Sequence, residues 1–268
     1  MPLVRIEECE IHYELHGPES GEPLVCIHGW NGSMQGFKSK LLPKLSGRFR
    51  VLLFDLPGCG KSEPCKRLSF EYFSQMLNQL LDAAGMKNAV IFGFCMGGVI
   101  ALDFAIRNPQ LVRRLVLSET RIDFPLILKA LLLPGLGMPL LDFFLRNRAG
   151  EALVRHAILQ RDVDYRFQMY HEFRSADRQS ALQYMKIMAA YARQDHSCRL
   201  LSLTVPVTVI RGGRSSGLIS GSVRSLCRNL RCCRVVRVKH AGHFPVEEVP
   251  DSVADILQNI SQDRNGES

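Results

Sequence analysis

Polar and apolar positions alternate near the start of the chain and then give way to short apolar runs. In residues 3–15 apolar side chains occupy alternate positions around a polar turn, which predicts a β-hairpin. Farther on, short apolar runs bounded by turn-forming residues predict buried strands. These runs cover residues 23–27, 50–54, 89–92, 115–117, 205–210 and 235–238.

Apolar residues spaced three or four positions apart mark several of the intervening segments. The spacing predicts one helix over residues 70–85, a second that opens at Gly98 and ends near Asn108, and a closing helix over about 251–260. Strands that alternate with helices are typical of a parallel sheet covered on both faces. The pattern therefore predicts an α/β fold with a mostly parallel central sheet.

Residues 121–195 depart from this alternation. They are rich in Leu, Phe, Met and Arg and predict several helices without strands. We therefore expect residues 1–120 and 196–268 to form one α/β core, with residues 121–195 inserted as a helical lid. Arginines interleave with the apolar side chains of this segment and indicate either solvated helix faces or a basic rim around an apolar pocket. They include Arg146, Arg148, Arg155, Arg161, Arg166, Arg174, Arg178 and Arg193.

Charge and composition narrow the classes of partner. The chain has 268 residues, 46% of them hydrophobic, which supports a sizeable core, and it carries a net charge of +8. That charge is explained either by a solvated basic surface or by attraction to anionic substrates or carrier proteins. No nucleic-acid-binding motif accompanies the charge, so we expect no nucleic-acid partner.

Cysteine usage and the apolar segments indicate the compartment. The nine cysteines are scattered and odd in number, and a chain of this size does not need disulfides, so we expect no disulfide framework. Residues 1–8 lack an apolar signal segment, and the longest apolar stretches are too short to span a bilayer. We therefore expect a cytoplasmic protein without stable membrane insertion. No metal or cofactor motif stands out, and we expect neither group.

Gly93-Phe94-Cys95-Met96-Gly97 is the segment most informative about chemistry. An apolar strand precedes it and a helix opening follows, which is the context of a nucleophile elbow. The elbow is a sharp strand-to-helix turn that exposes one reactive side chain, here a thiol. A buried structural cysteine is the alternative, and the flanking glycines favour the elbow.

Four further segments occur together with the elbow. They are His28-Gly29-Trp30, the turn from Asp55 to Ser62, Asn108–Val112, and Gly242-His243-Phe244. In this order the five segments resemble the α/β-hydrolase superfamily over nearly the whole chain. The similarity is to the esterase, epoxide-hydrolase and meta-cleavage-hydrolase kind, in which a helical lid interrupts the sheet. Aspartate is the nucleophile in epoxide hydrolases, so a cysteine here argues against that chemistry.

The resemblance implies a role for each of four residues. Cys95 is the nucleophile, and His243 is the general base, with His240 as its rival. The backbone N–H groups of Met96 and Trp30 form the oxyanion hole. His28 is expected to be a structural loop histidine.

The third catalytic residue is missing from its usual place. The family usually has an acid after the strand over residues 205–210, but this chain has no Asp or Glu from Pro206 to Val246. Some members of the superfamily carry the acid after the preceding strand, where this chain has Glu119. A loop glutamate without a catalytic role is the alternative, and Asp123 is in reserve. A Cys–His dyad, in which Ser216 or a water molecule orients the imidazole, also remains open.

These residues together predict a cysteine-dependent hydrolase of an ester, lactone or acyl thioester that works through an acyl-cysteine intermediate. An acyltransferase or cyclase would use the same intermediate. A degenerate member that only binds a small ligand is a further alternative, motivated by the empty acid position. The expected partner is a small-molecule acyl substrate, and the basic lid suits one linked to coenzyme A or to a carrier protein.

Overall fold

A single eight-stranded sheet forms the centre of the molecule in the computed structural model, which describes residues 3–45, 47–124, 126–149, 152, 170–215 and 223–262. The strands are β1 (Leu3–Ile6), β2 (Cys9–His16), β3 (Glu22–Ile27), β4 (Phe49–Phe54), β5 (Ala89–Phe94), β6 (Val112–Ser118), β7 (Val207–Gly212) and β8 (Cys233–Val238). Their spatial order is β1-β2-β4-β3-β5-β6-β7-β8. The two pairings of β2 are antiparallel and the remaining pairings are parallel. The predicted mostly parallel sheet is confirmed.

Helices connect most of the parallel strands. The α-helices of the described residues, of which the last two follow β8, are α1 (Phe70–Ala83), α2 (Met96–Arg107), α3 (Gly137–Arg146), α4 (Arg178–Tyr191), α5 (Ser197–Ser202), α6 (Val223–Arg228), α7 (Pro245–Glu248) and α8 (Pro250–Gln262). The Ser69 side chain caps α1 by accepting the N–H of Tyr72, which fixes the start of that helix. No helix within the described ranges is long and apolar enough to cross a membrane.

The two faces of the sheet carry separate apolar cores. On one face, buried residues of α1 and α2 such as Leu80 and Ile100 pack in the larger core. On the other face, Phe37 and Leu257 belong to a second core formed with α8. Because both faces are covered, the central strands are apolar on both sides, which explains their continuous apolar runs.

Between β6 and β7 the described residues are helical. They comprise a short 3-10 helix (Leu126–Leu132), α3, a helical segment over residues 170–175, α4 and α5. A small apolar cluster, which includes Leu131, Leu141 and Met185, packs within this insertion. Arg155, Arg161 and Arg166 lie outside the described residues. The division at residues 121 and 195 stays a prediction.

One disulfide joins Cys9 in β2 to Cys65 in the loop before α1. The other seven cysteines are free thiols. The two partners are 56 residues apart, and neither belongs to a spacing motif, so the sequence did not indicate their pairing. The bond ties the hairpin to the loop that follows the Asp55 turn.

Candidate active site

The candidate residues lie together at the carboxyl ends of the parallel strands. Trp30 follows β3, Cys95 follows β5 and Glu119 follows β6. His243 comes from the loop after β8. The structure thus brings together residues that are up to 213 positions apart in the chain.

Cys95 occupies a turn that only close-packed glycines permit. Its backbone has a φ of 52° and a ψ of −114°, a conformation that is costly for a residue with a side chain. A Cβ on Gly93 would collide with the backbone of Gly97, and a Cβ on Gly98 would overlap the side chain of Thr120. The glycine spacing read in the sequence is therefore required by packing around the elbow.

His243 lies between a thiol and a carboxylate. Its Nδ1 is 3.4 Å from Oε2 of Glu119, and its ring lies against Phe94, the residue before Cys95, with ring centroids 5.3 Å apart. Burial alone lowers the pKa of His243, but the hydrogen bonds and negative charges of Cys95 and Glu119 outweigh burial and raise the pKa to about 10. The site therefore favours the protonated, positively charged imidazole of His243.

Glu119 is the carboxylate that the structure brings to His243. Its side chain is fully buried and its backbone has a φ of 51°. One oxygen accepts the backbone N–H of Gly212 at 2.6 Å, and the other accepts the hydroxyl of Ser215. Charge-assisted hydrogen bonds of this kind hold a buried carboxylate in place.

Ser215 was not singled out in the sequence. It lies three residues after Gly212, at the position where an acid was expected and found to be absent. Instead of replacing the acid, it binds the carboxylate that stands one strand away. Ser216, which the dyad alternative invoked, lies outside the described residues.

The alternative candidates, Asp123, His240 and His28, either bind other residues or are exposed. Asp123 pairs with Arg121 and is half exposed, and His240 is exposed. His28 is buried: its Nε2 accepts the N–H of Leu56 at 2.9 Å, and its Nδ1 is 2.8 Å from the carbonyl of Gly29. Burial also lowers the pKa of His28, which favours a neutral ring. This geometry gives His28 a structural position in its loop.

Two backbone N–H groups, from different elements, belong to residues next to Cys95 or to the loop packed against it. Met96 is the first residue of α2, whose N-terminal N–H groups have no partner within the helix. Trp30 follows Gly29, and a Cβ on Gly29 would come within 3.2 Å of the Cys95 Cβ, so this loop passes directly against the thiol. Within the described ranges, neither the Met96 nor the Trp30 N–H donates to a protein acceptor.

The helical insertion contacts the loop that carries Trp30. The indole Nε1 donates to the carbonyl of Ala181 at 3.1 Å, and the Trp30 ring meets Phe173 edge to face with centroids 5.3 Å apart. Ser33 donates to Glu172 at 2.9 Å. The insertion therefore holds the loop that carries Trp30 in place.

Two acidic residues follow His243, and neither was predicted to belong to the site. Glu248 accepts hydrogen bonds from the N–H of Gly242 at 2.7 Å and from that of Phe244 at 3.1 Å. Its carboxylate therefore binds the backbone on both sides of His243. Glu247 is buried, and one of its oxygens has no hydrogen-bond partner among the described residues. Burial raises the pKa of Glu247 to about 8, against the lowering effect of His243. An acid within a few residues of the histidine is the signal that could have been used.

Comparison with known families gives a match over most of the chain. A family model described as "alpha/beta hydrolase fold" matches residues 22–250. A 2-hydroxy-6-oxononadienedioate/2-hydroxy-6-oxononatrienedioate hydrolase of Cupriavidus pinatubonensis is 30% identical over 225 residues, which is 78% of this chain and 77% of that protein. The hydrolase of the same name (number 1) from Dechloromonas aromatica is 36% identical, but the match spans only 43% of each protein.

Solved structures resemble the molecule over nearly its full length. An alpha/beta hydrolase enzyme from a Medee basin deep-sea metagenome library superposes with a TM-score of 0.83 at 18% identity, covering 100% of this chain and 99% of that one. The enol-lactonase from Burkholderia xenovorans superposes with a TM-score of 0.77 at 21% identity, covering 97% of this chain and 100% of that one. At these identities the likeness is one of fold.

Proposed function

Because the chain belongs to the α/β-hydrolase fold family, we propose that it is a cysteine-dependent hydrolase that cleaves an ester, lactone or acyl thioester. The observation that carries the proposal is the position of His243, whose ring lies against Phe94 of the Cys95 elbow and whose Nδ1 contacts Glu119. A thiolate paired with an imidazolium is a nucleophile at neutral pH. The named relatives are hydrolases, which agrees with this class of reaction.

In the first half-reaction the Cys95 sulfur attacks the carbonyl carbon of the substrate. A C–S bond forms, and the carbonyl electron pair moves to oxygen, where the N–H groups of Met96 and Trp30 stabilise the negative charge. The intermediate then collapses and expels the alcohol or thiol. His243 gives its Nε2 proton to that leaving group, and an acyl-cysteine and a neutral imidazole remain.

In the second half-reaction water restores the thiol. Neutral His243 takes a proton from the water as its oxygen attacks the acyl-cysteine. The C–S bond breaks, the carboxylic acid leaves, and Cys95 returns as a thiolate beside the imidazolium. Glu119 holds the Nδ1–H throughout, so that Nε2 faces the reacting atoms in both steps.

The helical insertion between β6 and β7 acts as a lid over this site. Its contacts with Trp30 and Ser33 support the assignment, since they link the insertion directly to the loop that carries Trp30. An apolar insertion suits an acyl chain. Of the arginines expected to form a basic rim, Arg178 pairs with Asp142 at 2.7 Å and Arg174 lies over the ring of Tyr170. We therefore assign the acyl chain, rather than an anionic group, to the lid.

Intact-mass spectrometry tests the proposed intermediate. The protein is incubated with a p-nitrophenyl ester or an acyl thioester, and the wild type is expected to gain the mass of one acyl group. Cys95→Ala should gain none, whereas Cys198→Ala, which removes an exposed free thiol, should behave like the wild type. Full activity in Cys95→Ala, with no adduct on the wild type, would refute covalent catalysis by Cys95.

A further inference from the structure

The net charge of the chain comes from one segment. Residues 206–246 contain eight Lys and Arg residues and neither Asp nor Glu. The chain has 34 Lys and Arg against 26 Asp and Glu, so the residues outside this segment balance at 26 of each. The whole formal charge of +8 therefore belongs to about a sixth of the chain.

In the fold this charge lies on one edge of the sheet. β8 is the last strand in the spatial order, and α6 precedes it. Six exposed cations lie on β8, at the end of α6 and on the adjoining loops, and we call them the basic edge. They are Arg214, Arg228, Arg231, Arg234, Arg237 and Lys239.

Protection of an edge strand from aggregation explains only part of this charge. Charged side chains are a known way to block unwanted strand pairing. The opposite edge strand, β1, carries Arg5 alone and pairs with the acid-bearing β2, where Arg5 faces Glu10. One arginine suffices there, whereas the basic edge extends beyond its strand to Arg228 and Lys239.

The size and composition of the basic edge fit a protein partner. The six residues of β8 alone span about 17 Å, at roughly 3.3 Å per residue, which exceeds the reach of a single phosphate group. Val235 is 49% exposed among the cations and offers apolar contact. Residues 206–243 contain no Phe, Tyr or Trp, so the segment lacks the aromatic platforms on which single-stranded nucleic acids stack.

The basic edge adjoins the loops that hold the catalytic residues. Arg214 donates its backbone N–H to Ala241, two residues before His243, and Arg237 donates to the carbonyl of Gly213. Gly213 lies between Gly212 and Ser215, which both bind Glu119. A partner seated on the basic edge is therefore close to the mouth of the site.

We propose that the basic edge docks an acidic carrier protein that presents the acyl group to Cys95 as a thioester. This inference rests on the proposed function and adds the form in which the substrate arrives. Opposite charges on the two surfaces would speed the encounter and orient the carrier. The acyl chain would then enter beneath the lid, so that the two ends of the substrate are recognised by different parts of the molecule.

A matched pair of thioester substrates tests the proposal. The same acyl group is attached to an acidic acyl carrier protein and to N-acetylcysteamine, and kcat/KM is measured for both. Arg228→Glu/Arg231→Glu should lower kcat/KM for the carrier thioester about tenfold or more, mainly through KM, and change that for the small thioester less than about twofold. Added salt should weaken only the carrier reaction.

A control variant with the same change in charge tests whether the position of the cations matters. Arg5→Glu/Lys87→Glu changes the net charge equally at exposed sites away from the basic edge, and it should leave both rates unchanged. Equal losses in the two double variants, or no preference of the wild type for the carrier over acyl-coenzyme A, would overturn the docking proposal. So would competition by a DNA duplex but not by the free carrier. Failure of the wild type to hydrolyse the small thioester would instead contradict the proposed function.

Discussion

At the scale of single residues, the candidate site places a thiol and a carboxyl group on strained backbone. Cys95 and Glu119 both have a positive φ, near 50°, although neither is glycine. Such conformations persist only where the surrounding structure enforces them, and they cluster at functional sites. Each of the two residues directly follows a strand, and Glu119 contacts His243, so the strain occurs at the proposed nucleophile and acid.

The raised pKa of His243 predicts how activity depends on pH. The fold favours the charged ring of His243. This charge therefore contributes fully to the stability of the folded protein below pH 6.5, the ordinary pKa, and the contribution is lost as the pH rises through the folded-state pKa of about 10. With an alkyl ester, whose leaving group needs a proton, kcat/KM should therefore fall above about pH 10. In Cys95→Ser a neutral imidazole must accept the hydroxyl proton, and the residual rate should rise with pH. Identical pH profiles for the two proteins would contradict the ion pair.

Substitution of Glu119 separates a triad from a dyad. Glu119→Gln removes the charge that orients and stabilises the imidazolium, and we expect kcat to fall roughly 10²-fold or more, by analogy with serine triads. The alkaline limit should also move to lower pH, because the carboxylate raises the pKa of His243. Asp123→Asn should leave both measurements unchanged. A Glu119→Gln enzyme with wild-type kcat would favour the dyad.

Buried Glu247 predicts a pH-dependent gain in stability on substitution. Its pKa in the fold is about 8 against an ordinary 4.5, so ionisation progressively destabilises the native state as the pH rises between these values. Glu247→Gln should therefore raise Tm much more at pH 8.5 than at pH 5. The corresponding gain in the free energy of unfolding is at most about 1.4 kcal/mol for each unit by which the pKa is shifted. The exposed Glu19→Gln controls for loss of a carboxylate. An equal Tm shift at both pH values would refute the prediction.

At the scale of elements, the strands and the longer helices could be predicted because their signals are local. The apolar runs 23–27 and 50–54 correspond to β3 and β4 within a residue, and the helix predicted over residues 70–85 is α1. The glycine pattern likewise located the elbow. Contacts between distant segments could not be predicted in this way: the Ser215–Glu119 hydrogen bond and the Cys9–Cys65 disulfide depend on which strands become neighbours.

Close packing at the start of α2 predicts that Gly98→Ala is destabilising. Helix propensity alone would favour alanine by up to about 1 kcal/mol. The added methyl would overlap the side chain of Thr120, however, and overpacking of this kind costs about 1–3 kcal/mol. Urea unfolding should show the loss, while Gly32→Ala, whose Cβ would meet its nearest neighbour at 3.3 Å, should cost less. A more stable Gly98→Ala protein would show that Thr120 moves aside freely.

At the scale of the whole molecule, two features lie at opposite ends of the sheet: the disulfide and the basic edge. The Cys9–Cys65 bond closes a loop of 56 residues, and a cross-link over that separation stabilises by about 3–4 kcal/mol through restriction of the unfolded chain. The basic edge lies at the other end of the sheet, on β8. The candidate active site lies between these two features, at the carboxyl ends of the central strands.

The disulfide predicts a stability that depends on redox conditions. Wild-type protein should lose several degrees in Tm when a reductant is added. Cys9→Ala/Cys65→Ala should have a low Tm that the reductant does not change further. Cys198→Ala, which removes a free thiol, should respond to the reductant like the wild type. A wild-type Tm that is insensitive to reductant would contradict a stabilising bond between these cysteines.

The strained turns at Cys95 and Glu119 also predict which substitutions would accumulate if selection no longer maintained the catalytic activity. Glycine adopts a positive φ at little cost, so mutation to glycine at either position would relieve strain as it abolished the reaction. Gly93, Gly97 and Gly98 are held by packing and would not be free to vary. Descendants that had lost the activity would therefore be expected to keep the glycine frame and to acquire further glycines in place of the nucleophile and the acid.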